Sequence, residues 1–280
     1  MARDIPRDLV RFGGLARRSQ LLALGASPRS VTRLISDGHL RVPRRGWVST
    51  TNAPTDAVRA VQLGGILGGS SALRSYGIWS DGTGLIVSTS PTASRLPPIL
   101  PSERRVWRNE QFANRSDRQW RVSVIDALLQ HASAVDRPSL IASADSAIHK
   151  RQISALEFRL LVDALPEHLR GIGRQVDGRS MSGTESKLRV ACVSAGLLVE
   201  PQASIVHVGF VDLLVDDWLI VEVDSREFHD GATQQHTDKV RDGNAVLGSF
   251  GTLRFDYQQV QFELEWCIEV ILARLKSGRP

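Results

Sequence analysis

Acidic residues interrupt the apolar, strand-like stretch VGFVDLLVDDWLIVEVD, which spans residues 208–224. Acids are poor strand formers and a carboxylate is costly to bury without a partner, so Asp212, Glu222 and Asp224 require an explanation. If residues 216–218 connect two antiparallel strands, Asp212 lies opposite Glu222, and Asp224 shares their face two residues later. A two-residue connection would turn Asp212 to the other face unless a bulge restored the register. The pattern therefore predicts a three-residue connection or a bulge.

Carboxylates that converge on one face repel one another, and a divalent cation is the usual remedy. Mg²⁺ (or Mn²⁺) suits such oxygen ligands, because one or two carboxylates suffice when water and a substrate phosphate complete the shell. The spacing predicts that this cation lies between Asp212 and Glu222. Asp216 and Asp217, by contrast, are predicted to be turn residues.

The sequence before and after these acids predicts the helices and strands that must position them. SGTE at 182–185 precedes a helix with Glu185 on its apolar-periodic face. Three strands, LLVEPQ, SIVHVGFVDLLV and WLIVEVD, follow. A helix over 233–247, a strand over 252–257 and a closing helix over 259–276 complete the order α-β-β-β-α-β-α, which predicts a domain over 176–280.

This region resembles the PD-(D/E)XK nuclease superfamily, and within it a bacterial domain related to very-short-patch-repair endonucleases. The resemblance covers roughly the last hundred residues, through SGTESKLR, VGFVDLLV, LIVEVDSREFH and KVRDGNAVLGSFGTLRF in the family's order. It implies an active centre of Glu185, Asp212 and Glu222. Asp212, Glu222 and the backbone carbonyl of Val223 would bind Mg²⁺ or Mn²⁺, and Glu185 would position the metal or the water.

The sequence departs from the superfamily pattern at two positions. Asp224 stands where the pattern has a lysine, which leaves open what replaces the ammonium, and Ser225 stands where this branch commonly has glycine. His229 matches a histidine of the repair endonucleases and is the candidate general base or leaving-group contact, since imidazole exchanges protons near neutral pH. Asp224 and His229 complete the predicted catalytic set.

Each of these residues also has a purely structural interpretation. Glu185 stands three residues after Ser182, as the acid of a capping box does. Asp224 would then cap the following turn, and His229 would be a surface residue. Two basic residues of the next helix, Lys239 and Arg241, contact phosphate in one interpretation and pair with neighbouring aspartates in the other. Arg254 either reaches the cleft or covers a sheet edge.

The N-terminus carries most of the positive charge. Residues 1–50 contain ten Arg and three Asp, a net +7, whereas the whole chain carries +5, so the remainder carries −2. Concentrated arginine is typical of phosphate-binding surfaces. A helix over 19–24, a turn at Gly25 and a second helix beginning at Ser27-Pro28 predict a helix-turn-helix, with residues 39–50 as a wing. The residues predicted to contact double-stranded DNA are Arg29, Ser30, Arg33, Arg41, Arg44 and Arg45.

The same segment resembles the winged-helix N-terminal domain of abortive-infection-type antitoxins, over about the first eighty residues. The resemblance rests on GGLARRSQLLALGASPRSVTRLISDGHLRVPRRGWV and AVQLGGILGGSSALRSYGIW. It implies DNA binding. Because small winged helices also serve as protein-binding modules, a purely structural domain stays open as the alternative.

Length and composition set the remaining expectations. A chain of 280 residues predicts two or three compact units, placed at 1–52 (winged helix-turn-helix), 53–175 (mixed middle region and linker) and 176–280. Strands over 84–88 and 104–106, helices over 123–135 and 138–165, and a linker over 171–183 are predicted for the middle region. With 42% hydrophobic residues, no long apolar run, no secretory signal and two cysteines, the composition predicts a cytoplasmic protein without membrane spans, disulfides or zinc.

Taken together, the sequence predicts an α/β (α+β) protein that acts as a Mg²⁺-dependent DNA endonuclease. The alternative is a DNA-binding regulator, or an antitoxin-like protein, in which the nuclease-like domain is not catalytic. A third hypothesis gives the winged helix a protein-binding role and the nuclease an RNA or single-stranded substrate. A homodimer stays open, because cutting both strands would favour one.

Overall fold

The computed structural model describes residues 4–114, 116–224 and 232–279, and the side chains of the last range from residue 239 onward. The fold is mixed α/β, as predicted. The chain divides into two compact units, the first formed by Met1–Val135 with Leu156–Leu165 and the second by Asp136–Ala155 with Pro166–Pro280. Within the described ranges, no helix is long and apolar enough to span a membrane.

The first unit begins with a small helical subdomain. Its core contains Leu9, Leu21, Val31 and Val48, all buried. Its elements are α1 (Ile5–Arg11), β1 (Leu15–Arg17), α2 (Arg18–Ala23), α3 (Pro28–Ser36) and β2 (Trp47–Ser49).

The two helices predicted for this segment correspond to α2 and α3. Helix α3 begins where the sequence indicates, because Ser27 Oγ accepts the N–H of Ser30 at 3.0 Å and Pro28 occupies the first helical position. Strand β2 pairs antiparallel with β1, a strand not predicted from the sequence. The predicted wing is reduced to a single bridge between Arg41 and Ser49.

The rest of the first unit is built on a three-stranded sheet of order β3-β4-β5, in which β3 is antiparallel to β4 and β4 is parallel to β5. The predicted strands correspond to β4 and β5. The elements are α4 (Thr55–Gln62), β3 (Ile66–Leu67), α5 (Gly69–Ser75), β4 (Leu85–Thr89), β5 (Glu103–Trp107) and α6 (Val124–Ala132).

The helical segment predicted over 138–165 divides into α7 (Arg137–His149) and α8 (Ala155–Ala164). The break follows from the backbone, since Arg151 has φ 53°, a left-handed conformation that a helix does not continue through. A 3₁₀ helix (Glu167–Arg174) and α9 (Gly183–Ser194) follow. The segment predicted as a linker lies within the second unit, where Ser180 is buried.

The second unit contains a four-stranded sheet of order β6-β7-β8-β9, antiparallel except for the parallel pair β8 and β9. The long apolar run that the sequence suggests as one strand contains the β6–β7 turn, and the predicted closing helix divides in two. The elements are β6 (Val199–Ile205), β7 (Gly209–Val215), β8 (Leu219–Asp224), α10 (Ala232–Leu247), β9 (Gly251–Asp256), α11 (Tyr257–Phe262) and α12 (Leu264–Lys276).

Both faces of this sheet are covered. Alternate residues of β7 and β8, such as Leu213 and Val221, pack against Leu188 of α9 and Ile271 of α12. On the other face, Ile220 packs with Ala245 of α10. Acidic residues near the ends of β7 and β8 therefore lie beside helices from both sides.

Candidate active site

The hairpin between β7 and β8 has the connection that the sequence predicts. Val215 pairs with Leu219, so three residues, 216–218, form the turn. Asp216 and Asp217 both adopt left-handed φ values, 48° and 63°, which confirms them as turn residues.

The ladder between these strands ends just before the acids. The last paired residues are Leu213 and Val221, and continuing that register by one step places Asp212 opposite Glu222. The N–H of Val223 donates to Asp212 Oδ2 at 2.9 Å. The carboxylate of Asp212 thus accepts a strand N–H beyond the last paired residues. This hydrogen bond holds the side chain at the point where the pairing of β7 and β8 ends.

A glutamine brings a second carboxylate to Asp212. Gln202 Nε2 donates to Glu185 Oε2 at 3.1 Å and to Asp212 Oδ1 at 3.4 Å. Gln202 pairs with no strand residue and has φ 53°, so the backbone of β6 is locally distorted at this position. The structure therefore brings Glu185 of α9 and Asp212 of β7 together through one amide.

Glu185 stabilises the start of α9, as its structural interpretation requires, and its role towards a metal or water stays a prediction. Its N–H donates to Ser182 Oγ at 3.2 Å and its Oε2 accepts the N–H of Met181 at 2.9 Å, so it closes the start of α9. The same oxygen accepts Gln202, although the side chain is buried. Helix capping therefore holds Glu185 in the orientation that faces Asp212.

The electrostatics of this group centre on Asp212. Burial is the largest cause that raises its pKa, and the neighbouring carboxylates of Glu185 and then Glu222 raise it further, to about 6. The hydrogen bonds from Val223 and Gln202 act in the opposite direction. A carboxyl group in this setting gains from either a proton or a cation near neutral pH.

The negative charge of Glu222 is balanced by two arginines, a pairing that the sequence did not indicate. Its Oε1 lies 3.4 Å from Arg241 Nη2 and its Oε2 lies 3.1 Å from Arg254 Nε. Arg254 also pairs with Asp242 of α10. Asp242 thus pairs with Arg254, and Arg241 with Glu222, whereas a role for Arg254 in a catalytic cleft stays a prediction.

The remaining contacts of Arg241 support the sheet. Its Nε donates to the carbonyl of Val208 at 2.8 Å and its Nη2 to that of Phe210 at 2.6 Å. Lys239 is exposed on the same helix. Arg241 therefore links the β6–β7 turn to Glu222, and its predicted contact with phosphate stays a prediction.

The oxygen donors around Asp212 fit a magnesium ion in part. Within the described ranges, no three His, Cys, Asp or Glu side chains are grouped as metal ligands. Mg²⁺ needs only one or two carboxylates, and a strand residue directs its N–H and C=O to the same edge, so the Val223 carbonyl is on the Asp212 side. Asp212 therefore supplies one carboxylate of the kind that this ion binds, Glu185 lies one amide away, and the ligand role of the Val223 carbonyl stays a prediction. Glu222 would first have to release its arginines.

The outer members of the predicted set are Asp224 and His229. Asp224 is exposed at the end of β8 and is opposite Asp256 of β9 in the parallel register. Asp256 caps α11 through the N–H of Gln259. His229 and Ser225 lie outside the described residues, so the predicted general base stays a prediction.

In the first unit, the predicted DNA contacts on α3 are exposed at its N-terminal half. Arg29 and Ser30 are exposed, and Nε of Arg33 lies 3.5 Å from Oδ2 of Asp37, one turn later. Ser30 Oγ shares a hydrogen bond with Ser27 Oγ at 2.7 Å. The arginines of α3 therefore form an accessible positive face.

The wing arginines differ from one another in burial. Arg41 is exposed, whereas Arg44 is half-buried and donates to the carbonyl of Gln62 at 3.2 Å. Arg44 and Arg45 line a cavity of about 320 Å³ together with Arg17, whose guanidinium stacks 4.7 Å from the Trp47 ring centroid. Arg17 was not predicted, because its aromatic partner is thirty residues away in sequence.

Three positioning residues of the second unit were missed. Gln202 was missed because the β6–β7 turn was placed incorrectly, and the correct hairpin register would have set it opposite Asp212. The buried pair of Asp145 and Arg189, 2.8 Å apart, was missed because nothing in the sequence joins α7 to α9. Comparison with known proteins adds no assignment, since no family model and no curated protein matches the chain.

Proposed function

We propose that this protein is a metal-dependent endonuclease that hydrolyses phosphodiester bonds in double-stranded DNA. The observation that carries the proposal is the setting of Asp212: a carboxylate at the mouth of two diverging strands, linked by Gln202 to the buried Glu185. A structural salt bridge would place a cationic side chain there, whereas this arrangement places a second carboxylate.

The order of elements in the second unit supports the proposal. Helix α9, strands β6 to β8, helix α10, strand β9 and helices α11 and α12 follow the order expected of the PD-(D/E)XK superfamily. The acidic residues stand on the elements that the resemblance assigns to them: Glu185 on the first helix, Asp212 on the second strand and Glu222 on the third.

Each residue of the chain has a role that follows from its contacts. Asp212 and the Val223 carbonyl would hold Mg²⁺ or Mn²⁺, and such an ion polarises a phosphate and lowers the pKa of bound water. Gln202 positions Asp212 against Glu185, and Glu185 orients water next to it. Arg241 and Arg254 hold the carboxylate of Glu222 beside this group. Asp212 must lose its proton before it binds a cation.

The first unit would deliver the enzyme to DNA. Its helix-turn-helix exposes Arg29 and Arg33 on α3, and the resemblance to winged-helix antitoxin domains assigns this helix to duplex binding. Phosphate contacts through arginine position a protein on DNA without fixing the sequence that it recognises.

One observation favours a second candidate function, a DNA-binding regulator with a non-catalytic nuclease-like domain. Glu222 is held by two arginines, and Asp224 stands in place of the lysine of the superfamily pattern. If the arginine contacts persist in the presence of metal, only one predicted acidic ligand remains on the strands.

A cleavage assay separates the two functions. The full chain is incubated with supercoiled plasmid in Mg²⁺, Mn²⁺ or chelator, beside Asp212→Asn and a matched control, Asp217→Asn, which changes an exposed turn residue of the same hairpin. We expect metal-dependent nicking by the wild type and by Asp217→Asn. Loss of a metal ligand should reduce the rate in Asp212→Asn by about a hundredfold or more, with DNA binding retained in chelator. Binding without nicking under any ion would favour the regulator, and nicking by Asp212→Asn at the wild-type rate would place the site elsewhere.

A further inference from the structure

A second basic surface lies in the second unit, in a region for which the sequence predicted only helices and a linker. It is a cavity of about 530 Å³ between the first turn of α7 and the 3₁₀ helix, lined by Arg137, Arg170, Gly171, Arg174 and Gln175. We call it the arginine hollow. Its lining includes neither a carboxylate nor an apolar side chain.

The arginine hollow has a fixed wall. Arg137 is half-buried, and its Nε donates to Gln175 Oε1 at 2.9 Å. A side chain at Gly171 would begin 2.7 Å from Arg137 Nη2, so the absence of one gives the guanidinium its space. Ile172, fully buried, anchors the 3₁₀ helix between Arg170 and Arg174. One guanidinium is thus oriented and two exposed ones stand beside it.

The arginine hollow and the acid cluster are connected through one pair of helices. Arg137 lies in the first turn of α7, and Asp145, about 12 Å further along that helix at 1.5 Å per residue, pairs with Arg189 of α9. Glu185 is one turn before Arg189 on α9. Both sites therefore belong to the same packed pair of elements.

The chemistry of the lining decides between ligand classes. Planar guanidinium groups match the oxygens of phosphate, and a nucleic-acid backbone needs only charge and hydrogen-bond donors. An acidic peptide would in addition need apolar surface to bury, and none of the lining side chains offers it.

We infer that the arginine hollow binds backbone phosphates of duplex DNA and holds the substrate on the nuclease unit, separately from the helix-turn-helix of the first unit. The inference rests on the proposed function for the identity of its ligand. It adds a second contact surface, in the same unit as the acids.

The test uses the full chain in chelator, so that binding is measured without cleavage. Arg170→Gln with Arg174→Gln removes two exposed charges, and Lys276→Gln with Arg279→Gln removes the same charge near the C-terminus as a matched control. Anisotropy titrations of a labelled duplex over a range of salt concentrations give affinity and salt dependence. We expect the hollow variant to bind about tenfold more weakly, with the slope of log K against log salt smaller by about two, and the control to change by less than about threefold.

Equal losses in the two double variants would overturn the inference, because net charge alone would explain them. Weaker binding of polyglutamate with unchanged binding of duplex would also overturn it. Arg137→Lys, which keeps the charge but not the planar fork, should weaken duplex binding as well, and wild-type affinity in that variant counts against the oriented guanidinium. Parallel thermal melts check that each variant is folded.

The outcomes also separate this inference from the proposed function. If the wild type cleaves DNA in Mg²⁺ and the hollow variant binds the duplex normally, the inference about the arginine hollow is wrong and the nuclease proposal stands. If the hollow variant binds the duplex more weakly and the wild type does not cleave DNA, the arginine hollow is a DNA contact and the nuclease proposal is wrong.

Discussion

Asp212 is the residue on which most of the proposed chemistry depends. Its two oxygens have different partners, since Oδ2 accepts the strand N–H of Val223 and Oδ1 accepts Gln202. An ordinary aspartate is ionised above pH 4, but burial and two neighbouring carboxylates raise the pKa of Asp212 to about 6. The folded protein therefore binds a proton at this site more tightly than the unfolded chain does.

This raised pKa predicts how metal binding depends on pH. Below pH 6 the proposed cation would have to displace a proton from Asp212, so affinity for Mn²⁺ should be about tenfold lower at pH 5 than at pH 7. Titration of the metal-free protein with Mn²⁺, followed by electron paramagnetic resonance, measures this. In Asp217→Asn the same dependence is expected, and an affinity that is flat between pH 5 and 7 would contradict the raised pKa.

The raised pKa of Asp212 also determines how the contribution of this residue to the free energy of unfolding changes with pH. Because the folded-state pKa is raised, the contribution of Asp212 to stability is present below pH 4 and is lost as the pH rises to about 6. In chelator, the wild type should therefore lose stability relative to Asp212→Asn over that interval. Urea unfolding of both proteins at several pH values checks the difference, in which the other carboxylates cancel.

At the scale of elements, α9 is the helix that places Glu185, and it is buried along most of its length. Its Arg189 forms an ion pair with Asp145 of α7, and Asp145 also accepts the N–H of Asp177 at 2.6 Å. Burial is the largest influence on Asp145 and raises its pKa, and the arginine opposes this. Three segments of the second unit thus meet at one buried carboxylate.

Removing one partner of this pair should be strongly destabilising. Asp145→Ala leaves the guanidinium of Arg189 buried without its carboxylate, which costs about 3–5 kcal/mol of unfolding free energy. Arg179→Gln, which breaks the exposed pair with Asp177, should cost about 1 kcal/mol or less. Urea unfolding measures both. A double change, Asp145→Leu with Arg189→Met, should recover much of the loss, and a single change as mild as the surface control would contradict the role of this pair.

The sequence predicted those elements whose limits are set by local signals. The helix starts at Ser27 and Ser182 were predicted because capping is local, and the β7–β8 turn because residue parity fixes it. The β6–β7 turn was misplaced because its residues include two valines, Val206 and Val208, and the chain turns through His207 at φ 65°. Gln202 was therefore not placed against Asp212.

Long-range contacts explain the remaining omissions. Helix α7 has buried residues on several faces, so its sequence shows no apolar stripe that would identify a partner. The arginine hollow combines Arg137 with residues more than thirty positions later, and the pairing of Arg254 with Glu222 depends on the parallel register of β8 and β9. None of these contacts has a signal in local spacing.

At the scale of the whole molecule, the two units divide the proposed work. The first unit carries the exposed arginines of α3, and the second carries the acids and the arginine hollow. Each unit has its own buried core, so changes on the exposed face of one should leave the chemistry of the other intact.

This division predicts different effects on duplex binding and on the chemical step. Arg29→Gln with Arg33→Gln should weaken binding of a duplex at least tenfold and lower the salt slope by about two, because two phosphate contacts are lost. Metal-dependent hydrolysis of a small diester, bis-p-nitrophenyl phosphate, should be unchanged, since the acids lie in the other unit. Arg7→Gln with Arg95→Gln removes the same charge from exposed positions of the first unit and serves as the control. If duplex binding equals that of the control while hydrolysis persists, the helix-turn-helix binds a protein partner and the nuclease finds its substrate through the second unit.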